Sequence, residues 1–176
     1  SRMPGGLLHT NIGACAMFSA VSGSSVATAA TIGTVALDEF KRRVYNEPLV
    51  LGSIAAGATL GILIPPSVNL IIYGALTNTS IGQLFAAGIL PGILLTIVFM
   101  TIIVIAVLWK PSLAEQVTEV PPLNERLFRL RYLVPPLGIF VIVMGAIYGG
   151  WATPTEAAAL GVVLAFGLAA VSYTHL

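Results

Sequence analysis

Charge is what this chain has least of. Only 9% of its residues are Asp, Glu, Lys or Arg, against about 25% in soluble globular domains. With 57% hydrophobic residues and a mean hydropathy of +0.96, that scarcity excludes an ordinary soluble domain and predicts an all-α membrane protein embedded in a lipid bilayer. The formal net charge of +1 and the lack of a basic amphipathic run exclude a nucleic-acid surface. Cysteine is nearly absent: Cys15 stands alone in an apolar run, so it permits no internal disulfide and reads as a small core residue. The two histidines, His9 and His175, have no partner at metal-ligand spacing; His9 reads as a hydrogen-bonded structural residue, with Asn11 two positions on. No signal peptide precedes the first apolar run. The start, Ser1-Arg2-Met3-Pro4-Gly5-Gly6, leads straight into it, so the chain reads as an internal fragment of a longer protein.

Five apolar stretches follow one another: Leu7–Leu37, Leu49–Leu76, Ile81–Trp109, Tyr132–Gly150 and Ala157–Val171. The first runs for 31 residues without a charge. As one straight helix it would measure roughly 45 Å, against a hydrocarbon core about 30 Å thick. Its centre, Ser22-Gly23-Ser24-Ser25, is where it would break. The eight basic residues fall at Arg2, at Lys41–Arg43, and at Lys110 with Arg126, Arg129 and Arg131. A single crossing by the first stretch would put Arg2 and Lys41–Arg43 on opposite sides. A re-entrant hairpin puts every basic residue on the cytoplasmic side, as short basic loops require. The turns near 77–83 and 149–156, which contain no Lys or Arg, then face outward. The predicted organisation is a first-repeat portion, 1–109, a proline-rich cytoplasmic connector, 110–131, and the start of a second repeat, 132–176. The first portion holds a re-entrant hairpin at 7–37, a broken helix at 49–76 and a transmembrane helix at 81–109.

Two constellations carry the candidate chemistry. At the hairpin tip, the first arm ends near Ser22 with unpaired carbonyls that suit a small cation. The second begins near Ser24 and Ser25 with free N–H groups that suit a carboxylate. Gly23 admits the tight turn, while Ser22, Ser24, Ser25 and Thr28 add hydroxyl oxygens for a hard cation. The second constellation runs from Gly57 through Thr59, Gly61 and Ile62 to Pro65, Pro66, Ser67 and Asn69. Adjacent prolines at mid-span remove two N–H donors and free the carbonyls of Gly61 and Ile62. A sodium ion held by the carbonyls of Ser22, Gly61 and Ile62 would satisfy them; otherwise the prolines make a simple kink. Gly57-x-x-x-Gly61 also matches a helix-packing motif. Thr153, Pro154 and Glu156 form a capping box at the outer start of the last helix, with Glu156 as a proton-relay carboxylate the alternative. No Lys or Arg lies within an apolar stretch, so an anionic substrate would be met by helix N-termini, hydroxyls and co-bound cations.

These motifs, in order, resemble the large membrane subunit of tripartite ATP-independent periplasmic (TRAP) transporters, the DctM-type family. The resembling segments run from Phe18 to Gly33 around the tip, from Gly61 to Ser67 with Ile72-Tyr73-Gly74, from Ser80 to Gly92, and from Thr153 to Ala159. The resemblance implies an elevator-type secondary transporter of the bacterial inner membrane, multi-pass and usually driven by sodium. Its substrates would be small organic anions such as dicarboxylates, sialic acids or keto acids, handed over by a periplasmic substrate-binding protein. A small membrane subunit would be its other partner, and no organic cofactor is implied. Ser22–Ser25 and Thr28 would match the first hairpin, and Gly61–Asn69 the broken helix beside it. The chain would cover less than half of such a subunit, with its second hairpin missing, and the ending Ser172–Leu176 does not resemble the family's continuation.

Two other readings compete. One is a non-transporting helical membrane assembly module. The other is an intramembrane serine hydrolase, with Ser22 or Ser24 as nucleophile and His9 as base, which requires the pair within hydrogen-bond reach. On one helix His9 and Ser22 would stand roughly 20 Å apart.

Overall fold

In a computed structural model of the chain, the described residues are 5–114 and 133–173. Arg2, most of the connector with Arg126, Arg129 and Arg131, and the final residues with His175 lie outside them. The described residues form helices, with no strand among them. They belong to two compact units, Ser1–Val120 and Pro121–Leu176.

In the first unit the uncharged stretch is two helices. Helix α1 (Gly6–Ser22) and helix α2 (Ser25–Lys41) are 17 residues each, so each arm extends only about 25 Å. Gly23 ends α1 in the left-handed region at φ 61°, with its N–H on the carbonyl of Ser19, a conformation that disfavours a side chain. Ser24 caps α2 through its hydroxyl. The second arm continues past Leu37 to Lys41, whose charge in the last turn complements the helix dipole.

Helix α3 (Glu47–Leu63) opens with Asn46 as N-cap and Pro48 in its first turn, two residues before the apolar pattern begins. It ends where Pro65 and Pro66 withhold donors, and helix α4 (Val68–Thr77) resumes after four residues. The Pro65–Pro66 peptide bond is cis. Helix α5 (Ile81–Trp109) runs 29 residues, followed by a short 3-10 turn (Pro111–Leu113). Both α5 and the 31-residue α3–α4 pair are long and apolar enough to cross a bilayer. The core of this unit joins Leu8 and Ile12 of α1, Phe40 of α2, Val50, Ile54 and Leu60 of α3, and Ile103 and Val107 of α5.

The base of the hairpin is pinned. Tyr45 packs edge-on against Phe40, with ring centroids 5.0 Å apart, and its hydroxyl accepts from the Leu7 N–H. The Asn46 N–H donates to the Leu113 carbonyl at 3.0 Å.

In the second unit, helix α6 (Val134–Tyr148) starts on Pro135-Pro136 and stops at Gly149 and Gly150, the latter at φ 70°. Helix α7 (Pro154–Tyr173) packs beside α6.

Candidate functional site

The tip of the α1–α2 hairpin is seated in the break between α3 and α4. The Val68 N–H, first in α4, donates to the Gly23 carbonyl at 3.1 Å. A Cβ on Gly23 would run into the carbonyl oxygen of Pro66. A Cβ on Gly61 would stand 2.9 Å from both the Ser24 carbonyl carbon and the Ser25 nitrogen. One turn earlier, a Cβ on Gly57 would meet Cys15 Sγ at 2.8 Å. The Gly57-x-x-x-Gly61 face therefore receives the hairpin: Gly57 its first arm, Gly61 its tip. Two glycines on α5 press against the other side of the break. A Cβ on Gly88 would lie 2.6 Å from the Leu63 carbonyl oxygen, and one on Gly92 would lie 2.9 Å from the Ile64 side chain.

Two helix C-termini, of α1 and α3, and two N-termini, of α2 and α4, thus meet at one place. Each brings partial charge, negative from carbonyls and positive from N–H groups. Where these groups go is a complete accounting question in an apolar medium. The carbonyls of Gly61 and Ile62 point toward Pro65 and Pro66, which have no N–H to give. Ile62 is compensated by the Ser67 hydroxyl, which donates to it at 2.7 Å, leaving that oxygen a second lone pair. At the start of α2 the Ala27 N–H takes the Ser24 hydroxyl at 3.3 Å, and the Thr28 N–H takes the Ser24 carbonyl at 3.0 Å. The N–H groups of Ser25 and Val26 have no acceptor among the described residues.

The hydroxyls of the tip form one cluster. Thr28 Oγ1 donates to the Ser24 carbonyl at 2.8 Å and lies 3.2 Å from Ser22 Oγ and 3.3 Å from Ser19 Oγ. Thr28, Ser19 and Ser67 are fully buried, whereas Ser22, Ser24 and Ser25 are half-buried.

Of the residues singled out from sequence, the structure gathers Ser22, Gly23, Ser24, Ser25, Thr28, Gly61, Ile62, Pro65, Pro66 and Ser67 into this centre. Two stay apart. Thr59 is exposed and its hydroxyl returns to the Ala56 carbonyl of its own helix; Asn69 is exposed on α4. Ser19, Gly88 and Gly92 belong to the centre and its walls and were not anticipated. A buried pair outside it, Asn11 Nδ2 to Ser53 Oγ at 2.9 Å, ties α1 to α3.

His9 lies in the first turn of α1 and Ser22 in its last, and the Ser22 hydroxyl contacts the Thr28 hydroxyl and the Ser24 backbone. The pair a serine hydrolase requires is not formed. Among the described residues, no three His, Cys, Asp or Glu gather where they could hold a metal ion, so a cation here would depend on neutral oxygens.

In the second unit, Thr153 and Glu156 bond reciprocally. The Thr153 N–H and hydroxyl both donate to Glu156 Oε2 at 2.8 Å, and the Glu156 N–H donates to Thr153 Oγ1 at 3.3 Å. The backbone bond from Thr153, and then that from its hydroxyl, hold the Glu156 carboxyl below its ordinary pKa.

The sequence profile of the tripartite ATP-independent periplasmic transporter, DctM component, matches residues 1–176, the whole chain. The chain belongs to the DctM family. Among similar curated proteins is the C4-dicarboxylate TRAP transporter large permease protein DctM of Pseudomonas aeruginosa, 42% identical over 159 residues, which are 90% of this chain and 36% of that protein. The ectoine TRAP transporter large permease protein TeaC of Halomonas elongata is 37% identical over 172 residues, 98% of this chain and 40% of its own length. The sialic acid TRAP transporter large permease protein SiaM of Vibrio cholerae is 38% identical over 179 residues, again 98% and 40%. The chain therefore spans about two-fifths of the length of these relatives. DctM membership makes it part of an integral membrane protein from a family of transporter permeases rather than enzymes.

Proposed function

We propose that this chain is the part of a TRAP transporter large subunit that carries half of a cation and carboxylate site. The observation that carries the reading is the seating of the hairpin tip in the helix break, marked by the Val68 N–H on the Gly23 carbonyl. On this reading the carbonyl oxygens of Ser22, Gly61 and Ile62, with the half-buried hydroxyls of the tip, are the donor set for sodium. The tip also presents the Ser25 and Val26 N–H groups, which suit a carboxylate. With no Lys or Arg in an apolar stretch, an anion would gain its compensating charge from the cation beside it, which is the physical basis for coupling the two.

On this reading the full-length subunit is a sodium-coupled, elevator-type importer of small organic anions in the inner membrane. It works with a small membrane subunit and a periplasmic binding protein, and the hairpin opens toward the cytoplasm. The relatives named for C4-dicarboxylate, ectoine and sialic acid support a shared carboxylate-recognising frame, with the choice among substrates made elsewhere.

The test is uptake by the full-length permease, reconstituted with its small subunit and binding protein. Replacing external sodium with potassium should reduce uptake by at least about tenfold, the effect of losing one favourable ion contact of about 1.4 kcal/mol. Uptake that is indifferent to the exchange overturns sodium coupling.

A further inference from the structure

The hydroxyls at the hairpin tip can be assigned donors and acceptors by counting protons. Thr28 has one hydroxyl proton, and its shortest contact, 2.8 Å, is with the Ser24 carbonyl, which can only accept. Ser19 Oγ at 3.3 Å and Ser22 Oγ at 3.2 Å must then donate to Thr28 Oγ1, whose two lone pairs accept both. The competing bond for the Ser22 proton, to the Ser24 carbonyl, is longer at 3.5 Å. With its proton turned inward, Ser22 Oγ keeps two lone pairs. One takes the Ser24 N–H at 3.4 Å and the other stays open. The chain of bonds also polarises Ser22: Thr28 donates to a carbonyl, becomes the stronger acceptor, and draws the Ser22 proton toward it.

Burial separates the roles. Ser19 and Thr28 are fully buried and cannot touch an incoming ion, while Ser22 is half-buried and can. We infer that Thr28, steadied by Ser19, is a positioning residue that holds the Ser22 hydroxyl in its acceptor orientation and so gives the tip its affinity for a small hard cation. This rests on the cation-binding reading above, and it adds a residue, Ser19, that has no ligand contact of its own.

The experiment follows the melting temperature of purified full-length permease as sodium is added, because an ion that binds the folded state raises it by mass action. Thr28→Val should raise the half-saturating sodium concentration about threefold to tenfold, the size of one hydrogen bond. Thr28→Ser, which keeps the hydroxyl, should recover most of that loss. Ser19→Ala should give a smaller rise of about twofold. In a Ser22→Ala background, neither Thr28→Val nor Ser19→Ala should weaken sodium binding further, because both act through Ser22. A Thr28→Val effect that persists in full in that background overturns the inference, as does a half-saturation left unchanged. If Thr28→Val does not fold, Ser19→Ala with and without Ser22→Ala decides by the same rule. Parent protein that shows no sodium-dependent shift overturns the cation site itself and this inference with it, so the two failures are distinguishable.

Discussion

Two helix starts in this chain are capped in opposite ways. At α7, Thr153 and Glu156 close on each other: the carboxylate takes the Thr153 N–H and hydroxyl, the Glu156 N–H takes the Thr153 hydroxyl, and the helix sets an acid of its own at its positive end. At α2, the only side-chain cap is the Ser24 hydroxyl on the Ala27 N–H, the first turn carries no acidic residue, and the N–H groups of Ser25 and Val26 stay open among the described residues. The first arrangement supplies its own negative charge and is exposed. The second has no acid of its own and is set against a broken helix, with Ser24 and Ser25 half-buried. A helix start without its own acid can accept someone else's, and in an apolar surround that vacancy is worth most.

The sharpest way to break the contrast is to close the open start. Ala27→Glu would place an acid three residues after Ser24, recreating at α2 the Ser/Thr-x-x-Glu pattern that α7 has. The new carboxylate would set a permanent negative charge at the start of α2 and repel an anionic substrate. Uptake by the full-length transporter should fall by at least about a hundredfold, consistent with about 3 kcal/mol for a misplaced charge at membrane depth. Ala27→Gln, which has the same shape without the charge, should lose far less. Equal uptake by Ala27→Glu and the parent protein would remove the anion half of the site.

A second intervention tests the seat instead of the charge. Gly23→Ala puts a methyl group at φ 61° and against the Pro66 carbonyl oxygen. Strain and displacement together should lower the stability of the subunit by about 2–3 kcal/mol, read as a loss of melting temperature in detergent. Gly138→Ala, at a glycine with nothing near its added methyl, is the matched control and should leave the melting temperature at or slightly above that of the parent. An unchanged melting temperature for Gly23→Ala would mean that the tip is not held in the break.

How much of this centre could be read from sequence follows from which constraints are local. The hairpin was legible because 31 uncharged residues exceed one crossing and Ser22–Ser25 interrupts them. The break was legible because two prolines remove donors wherever they fall. The bond from Val68 to Gly23 was not, because it joins positions 45 apart and no local pattern records it. Ser19 was hidden among the small residues of α1, since burial alone distinguishes it from Ser22. Gly88 and Gly92 carry no local signal of their own, and their meaning lies in what sits opposite, Leu63 and Ile64. Thr59 is different, because the helical period itself argued against it. Two residues before Gly61 is about 200° around the helix, so if Gly61 meets the tip, Thr59 turns away, and its bond to Ala56 agrees.

The smallest effect belongs to the closed start. Because Thr153 holds the Glu156 carboxyl below its ordinary pKa, the carboxylate form is favoured in the folded state. The cap is then fully made above the ordinary carboxylate range, near pH 4.3, and is lost as pH falls through the lowered folded-state value. Amide exchange at Thr153, corrected for its intrinsic pH dependence, should show steady protection from neutral pH to the acid side of that range and then a decline. Glu156→Gln should show weak protection that does not vary with pH, and Thr153→Ala should fray the first turn of α7 by about 1 kcal/mol. Uptake at neutral pH should change little in either variant, because this helix start keeps its acid for itself. A large loss of uptake in Glu156→Gln would reverse that assignment and make Glu156 a proton-relay carboxylate, so that an acid beside a helix start could no longer be taken as the mark of a purely structural cap in this chain.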